Sequence, residues 1–199
     1  MRLHRRTMLI ATLAASGMGI RAARAAALPE RSLGRPDAPL QVTEFYSLTC
    51  PHCAAFAQET FPRIKTTLID TGRLRWIYGE FPLDRVALMA SQVALSLPPE
   101  RYEPFVKVLF ANQDRWVFAR GINYTEELFK YAALAGMSRS AFEAAINDNG
   151  LRDAIVEARQ KAVDKYQIDS TPTFIHGEDK KAGDMSYEDF TKWLGVAAS

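Results

Sequence analysis

A strand-like run gives way to a helix-like run near residue 50, and the only two cysteines of the 199-residue chain stand at that junction. Leu40 to Tyr46 reads as a buried strand. Cys50-Pro51-His52-Cys53 follows, and Ala54 to Asp70 then places Phe56, Phe61, Ile64 and Leu68 at roughly helical spacing. Pro62 falls inside that run, so the helix is expected to kink or restart there. Thr71-Gly72 ends it. Arg73 to Phe81 alternates as a second strand, with Leu74, Trp76 and Tyr78 on one face.

Beyond Phe81-Pro82 the pattern is helical for about 80 residues. Asp84 to Leu97 is Ala-rich and stops at Pro98-Pro99; Glu100 to Trp116 follows, with Pro104 expected in its first turn. Tyr124 to Ala135 opens on Asn123 or Thr125 as a cap and closes at Gly136. A helix from Ser138 is expected to end near Asn149-Gly150, and Leu151 to Tyr166 forms a longer one. Strand character returns at Thr173 to His176, after Ser170-Thr171-Pro172. Gly177 to Lys180 is a turn, with His176 read as part of it and Lys181-Ala182 opening a partner strand. Ser186 to Val196 closes the chain as a helix with Phe190, Trp193 and Leu194 on one face. Pro29 to Pro39 has no periodicity and reads as an extended lead-in. The first β-α-β unit and the last β-β-α unit can therefore share one sheet, with the helical block inserted between them.

The N-terminus sets the compartment. Met1 to Arg6 is basic, Thr7 to Ile20 is mostly apolar, and Ala23-Arg24-Ala25 offers a small-residue cleavage site, the layout of a secretory signal peptide. Arg5-Arg6-Thr7 also fits a twin-arginine signal. The leader carries Arg2, Arg5, Arg6, Arg21 and Arg24 and no acid. Without it the 25 Lys and Arg fall to 20 against 23 Asp and Glu, a formal charge of −3. The basic footprint of a nucleic-acid binder is thus absent. The residues that remain suffice for one domain with a sizeable core.

An exported chain can carry structural disulfides, but a bridge between Cys50 and Cys53 closes almost no loop and removes little unfolded-state entropy. Its value is chemical. Cys50 sits where helix N–H groups and the helix dipole favour a thiolate, and Pro51 at the first helical position wastes no donor. His52 adds positive charge or a hydrogen bond beside the sulfur. A reduced form stabilised in this way makes the disulfide a stronger oxidant. Cys53, one turn on, is the resolving thiol. Zinc would need four ligands, and the chain offers these cysteines, His52 between them and a distant His176. Covalent haem attachment needs His where Ala54 stands. No metal and no cofactor other than the Cys50–Cys53 disulfide is expected. Glu44 is an acid in an apolar strand, on the face of Tyr46. Buried under the cysteines it would relay the proton of Cys53; at an edge it would only be solvated. Glu80 is a second acid of this kind. Phe45, Phe56, Trp76, Trp116, Phe174 and Trp193 read as core, with Tyr46 and Phe56 also candidates to line a substrate groove. The charges of Glu157 to Lys165 read as a solvated helix face.

Val42 to Cys53 resembles the active-site segment of the DsbA family of exported thiol:disulfide oxidoreductases. The likeness continues through Gly79-Glu80-Phe81-Pro82-Leu83, the helical block, Ser170-Thr171-Pro172-Thr173-Phe174 and Ser186 to Phe190. The resemblance implies an α/β thioredoxin fold with an all-helical domain inserted between its β-α-β and β-β-α halves. Residues 1–25 would be the signal, 26–82 and 167–199 the two thioredoxin parts and 83–166 the insertion. It also implies a buried acid at Glu44, and a cis proline at Pro172 beside the cysteines, with Thr171 offering its backbone to an extended substrate strand. The expected activity is disulfide introduction into unfolded or partly folded exported proteins with free cysteines. A DsbB-type membrane partner would re-oxidise the enzyme. A periplasmic monomer without nucleic-acid partners is expected. A reductase or isomerase is the alternative, although such isomerases usually carry a dimerisation module for which the short lead-in leaves no room. A peptide-binding chaperone without turnover is the third reading.

Overall fold

The computed structural model describes residues 28–197, so the expected leader lies outside the described residues. Five strands, β1 (Arg31–Leu33), β2 (Leu40–Tyr46), β3 (Leu74–Glu80), β4 (Thr173–His176) and β5 (Asp179–Ala182), form one sheet in the order β1-β3-β2-β4-β5. β2 and β3 are parallel and every other pairing is antiparallel. This is a thioredoxin fold. β2 and β3 belong to its β-α-β half, β4 and β5 to its β-β-α half, and the helical block enters between them.

The β2–β3 crossover is α1 (Pro51–Glu59), α2 (Phe61–Ile64) and a π-helical stretch, Lys65–Ile69. The break anticipated at Pro62 occurs two residues earlier, at Thr60. The π turn closes with the N–H of Asp70 bonded to the carbonyl of Lys65. Alternation on β2 turns Val42, Glu44 and Tyr46 to one face, all buried. There Phe56, Phe61, Trp76, Phe174 and Phe190 form an aromatic cluster under α1, α2 and α9 (Tyr187–Trp193), with Phe56 stacked on Trp76 at 6.0 Å. Each such fully buried side chain contributes on the order of 1.5–3 kcal/mol. The opposite face carries Phe45, which packs with Phe81 and Tyr166 of α8 (Asn149–Tyr166). Phe45 pairs across the sheet with Gly79, and a Cβ there would lie 2.6 Å from its ring. Only glycine lets that ring sit flat on the neighbouring strand.

The insertion contributes α3 (Arg85–Ser96), α4 (Pro99–Ala111), α5 (Gln113–Trp116), α6 (Tyr124–Leu134) and α7 (Arg139–Ile146). Asp84, Asn123 and Ser138 cap α3, α6 and α7 through side-chain acceptors. Their shared core includes Tyr102, Leu109, Trp116, Leu128 and Phe142, and it also takes in Cys50 and Cys53.

Several boundaries differ from the sequence reading. α4 begins at Pro99, so Pro104 lies in its second turn. The run expected to continue to Trp116 breaks at Asn112 and restarts as α5. Asn149 and Gly150 open α8 instead of ending α7, because Asp148 caps it by accepting from the N–H of Leu151. β1 forms inside the supposed lead-in, where Arg31 donates to the carbonyls of Leu95 and Leu97 at the end of α3. His176 belongs to β4, with Nδ1 2.8 Å from the Gln41 carbonyl oxygen.

Candidate active site

Residues 47–50 form a turn between β2 and α1, closed by the Cys50 N–H donating to the Ser47 carbonyl at 3.0 Å. Cys50 is the N-cap of α1 in extended conformation, and Pro51 occupies the first helical position. This places the sulfur of Cys50 at the mouth of the helix and Cys53 one turn below. Cys50 is 6% exposed and Cys53 is fully buried. Both are unbridged thiols.

The two thiols sit in opposite electrostatic settings. Hydrogen bonding from Cys53 is the largest influence on Cys50. Thr171 and the backbone N–H groups of Cys53 and His52 add to it, and against the cost of burial they bring the Cys50 pKa down to about 5. The Thr171 carbonyl oxygen lies 3.3 Å from Sγ, where it accepts the S–H of the protonated form. The Thr171 hydroxyl has no partner among the described residues, so it can turn its hydrogen toward the thiolate. Cys53 is driven the other way. Burial acts first, then the hydrogen bond it gives Cys50, then the charge of Glu44, and its acidity is strongly suppressed.

Each residue singled out in the sequence can now be placed. Thr171-Pro172 is a cis bond beside Cys50. His52 has an exposed side chain, and its backbone N–H is what the fold directs to the sulfur. Glu44 is buried, 4% exposed, and its charge acts on Cys53. Burial raises its pKa to about 8, opposed in part by the indole N–H of Trp76. Neither Glu44 Oε1 nor Trp76 Nε1 completes a hydrogen bond among the described residues, so desolvation wins. Glu44 also lines a cavity of about 160 Å³ walled by Phe61, Tyr78, Val106 and Phe110, with Lys65 and Lys107 among its lining.

Glu80 is buried too, but its carboxylate is saturated. Oε1 accepts from Tyr46 at 2.9 Å and Tyr102 at 2.5 Å, and Oε2 from Ser91 at 2.5 Å. Burial raises its pKa, offset by those bonds and by Arg31. It joins the sheet to α3 and α4 and is no proton carrier for Cys53 in this arrangement. Tyr46 and Phe56 line no groove. Tyr46 is committed to Glu80, and Phe56 lies inside the aromatic cluster. Among the described residues no group of three or more His, Cys, Asp or Glu stands together as a metal site.

Two features of the site have no clear sequence signal. Thr49 donates to Asp84 Oδ2 at 2.6 Å, while Oδ1 of the same carboxylate caps α3. Gln113 donates to the carbonyls of Leu48 and Cys50. An Asp before an apolar run marks a helix start, which made the cap legible but not its second oxygen.

Residues 27–195 match the family described as Thioredoxin. The solved structure of alpha-DsbA1 from Wolbachia pipientis superposes with a TM-score of 0.77 at 33% identity, covering 83% of this chain and 89% of that one. BdbD from Bacillus subtilis shares the fold, with a TM-score of 0.71 at 21% identity over 83% of this chain and 91% of that one. A Rickettsia typhi protein described as a protein-disulfide oxidoreductase is 26% identical over 144 residues, 72% of this chain and 53% of its own length. The chain thus spans about half the length of the curated relatives it matches.

Proposed function

Since the chain belongs to the thioredoxin family and, within it, to the DsbA proteins, we propose that it introduces disulfide bonds into exported proteins through Cys50 and Cys53. The observation that carries this reading is the divergence of the two thiols. Cys50, at the helix mouth, has a pKa of about 5, while Cys53 below it is strongly protonated. A thiolate that stable makes the reduced enzyme a good leaving group and the disulfide oxidising.

In the reaction a substrate thiolate attacks Cys50 Sγ of the Cys50–Cys53 disulfide. An S–S bond forms between substrate and Cys50, and Cys53 leaves as a thiolate that takes up a proton. A second substrate thiolate then attacks the substrate sulfur, and Cys50 leaves as the stable thiolate. The substrate is oxidised by two electrons and the enzyme is reduced. Glu44, protonated near neutral pH and buried where its charge acts on Cys53, is the proton donor for Cys53 and its acceptor in the reverse step. The backbone of Thr171, beside Cys50, is the edge on which an extended substrate segment would lie. His52, exposed at the second position of α1, contributes its backbone N–H to Cys50.

The client class is unfolded or partly folded exported proteins with free cysteines, reached through a cleaved signal at residues 1–25. A DsbB-type membrane partner would restore the disulfide, and the working form is a monomer. No helix among the described residues is long and apolar enough to cross a membrane.

The test uses the oxidised protein and a reduced two-cysteine peptide. Stoichiometric peptide oxidation with loss of the enzyme disulfide is expected. Cys50→Ser abolishes it, and Cys53→Ser still forms a mixed disulfide when offered an activated disulfide substrate. A peptide that stays reduced while the enzyme stays oxidised rejects the reading in favour of a reductase or isomerase.

A further inference from the structure

The peptide joining Cys50 to Pro51 is unusually short of anchors. Pro51 has no N–H, so that peptide plane can be held only through the Cys50 carbonyl. One hydrogen bond reaches it from α1 itself, the N–H of Ala54 at 3.2 Å. The other comes from outside the thioredoxin fold. Gln113, the first residue of α5 and 6% exposed, donates from Nε2 to the Cys50 carbonyl at 3.1 Å and to the Leu48 carbonyl at 2.7 Å. Both amide hydrogens are thereby used on the active-site turn.

Gln113 is itself held independently of the cysteines. Its carbonyl accepts from the N–H groups of Val117 and Phe118 at 2.9 and 3.0 Å. Trp116, fully buried on the same short helix, donates from Nε1 to the Leu109 carbonyl at 2.8 Å. The other side of the turn is fixed by Ser47 and Thr49, through the N–H of Leu83 and the carboxylate of Asp84. The turn is therefore gripped from the insertion side at residues 47, 48, 49 and 50.

We propose that Gln113 is a positioning residue, holding the backbone of Cys50 from the helical insertion so that its sulfur stays against the first turn of α1 as the redox state changes. The carbonyl of Cys50 carries partial negative charge close to its own sulfur. Two donors on that oxygen offset the repulsion it would otherwise exert on a thiolate. They also keep Sγ within reach of the N–H groups of His52 and Cys53, which act on it through the backbone. The inference rests on the reading of Cys50 as the reactive thiol.

The experiment titrates the thiolate absorbance of the reduced protein, with the glutathione equilibrium and thermal midpoint measured on the same samples. Gln113→Leu removes, at similar size, the amide's hydrogen bonds to the Cys50 and Leu48 carbonyls and leaves only the Ala54 N–H on Cys50. It is expected to move the Cys50 titration up by about one pH unit, roughly tenfold in proton affinity. The glutathione equilibrium constant should fall by a comparable factor. Gln113→Glu, protonated against two carbonyls, can donate one hydrogen bond and should fall between Leu and wild type. Arg115→Ala, on the exposed side of α5, should titrate with wild type. A Gln113→Leu protein that loses thermal stability but titrates as wild type overturns the proposal and leaves Gln113 a packing residue. If Gln113→Leu does not fold, a Gln113→Glu titration that coincides with wild type overturns it equally. A wild-type protein without thiolate below pH 8 would instead defeat the reading of Cys50 itself.

Discussion

Two thiols, three positions apart, diverge because one sits at a helix mouth among donors and the other lies under it without water. The same desolvation that suppresses Cys53 acts on Glu44, and the structure gives that carboxyl no completed partner among the described residues. A raised carboxyl pKa favours stability at low pH. The contribution is intact below the ordinary value of 4.5 and is lost as pH rises toward about 8. Glu44→Leu should therefore stabilise the oxidised protein at neutral pH by roughly 1–3 kcal/mol, the cost of an unsatisfied buried polar group. The gain should grow between pH 5 and 8, and turnover should slow because Cys53 loses its proton partner. Urea midpoints at the two pH values check this, and a variant less stable at both would show the carboxyl to be partnered. At this scale the sequence was informative where residue type and local spacing decide the chemistry, as at Cys50, Cys53 and Glu44. It was silent on Gln113, because its hydrogen-bond partners lie over 60 positions away.

Between elements, the Glu80 knot ties β2 and β3 to α3 and α4. Tyr102 donates to Glu80 and shares a 2.6 Å contact with the Tyr46 hydroxyl. Tyr102→Phe removes one donor from a buried carboxylate and should cost about 1.5–3 kcal/mol, as for a hydrogen bond to a charged group. It should leave the alkylation rate of Cys50 unchanged, since the knot lies on the sheet side of the insertion. Equilibrium unfolding together with alkylation kinetics separates the two effects, and an unchanged midpoint would contradict the assignment. Periodicity located the interiors of β2, β3, α3 and α6 well because each has a buried stripe. It misplaced ends that depend on a single capping side chain, such as Asp148 of α8. It missed β1, whose three residues are too few to show alternation and whose anchor, Arg31, reaches the far end of α3. Glu80 and Glu44 look alike in sequence. They differ in their partners, three hydroxyls and the charge of Arg31 around Glu80 against the Trp76 indole beside Glu44.

For the molecule as a whole, the order of elements was legible. The two halves of the thioredoxin fold differ in period from the helical block between them. What was not legible is how closely that block grips the redox site, since every such contact is long-range. The oxidation of the cysteine pair should itself change the stability of the whole fold. A Cys50 pKa lowered from 9.0 to about 5 adds stability to the reduced form as pH rises through that window, and the gain is lost as pH falls through about 5. The disulfide form has no such group. The stability gap between reduced and oxidised protein should thus widen from pH 5 toward pH 9. A gap that stays constant would mean the thiolate is not specially stabilised. The most direct measurement is the reduction potential of the Cys50–Cys53 pair against glutathione at pH 7. A stabilised thiolate predicts a strongly oxidising value, far above the roughly −270 mV of thioredoxin and toward the roughly −120 mV of DsbA. A potential at or below the thioredoxin value would contradict the account.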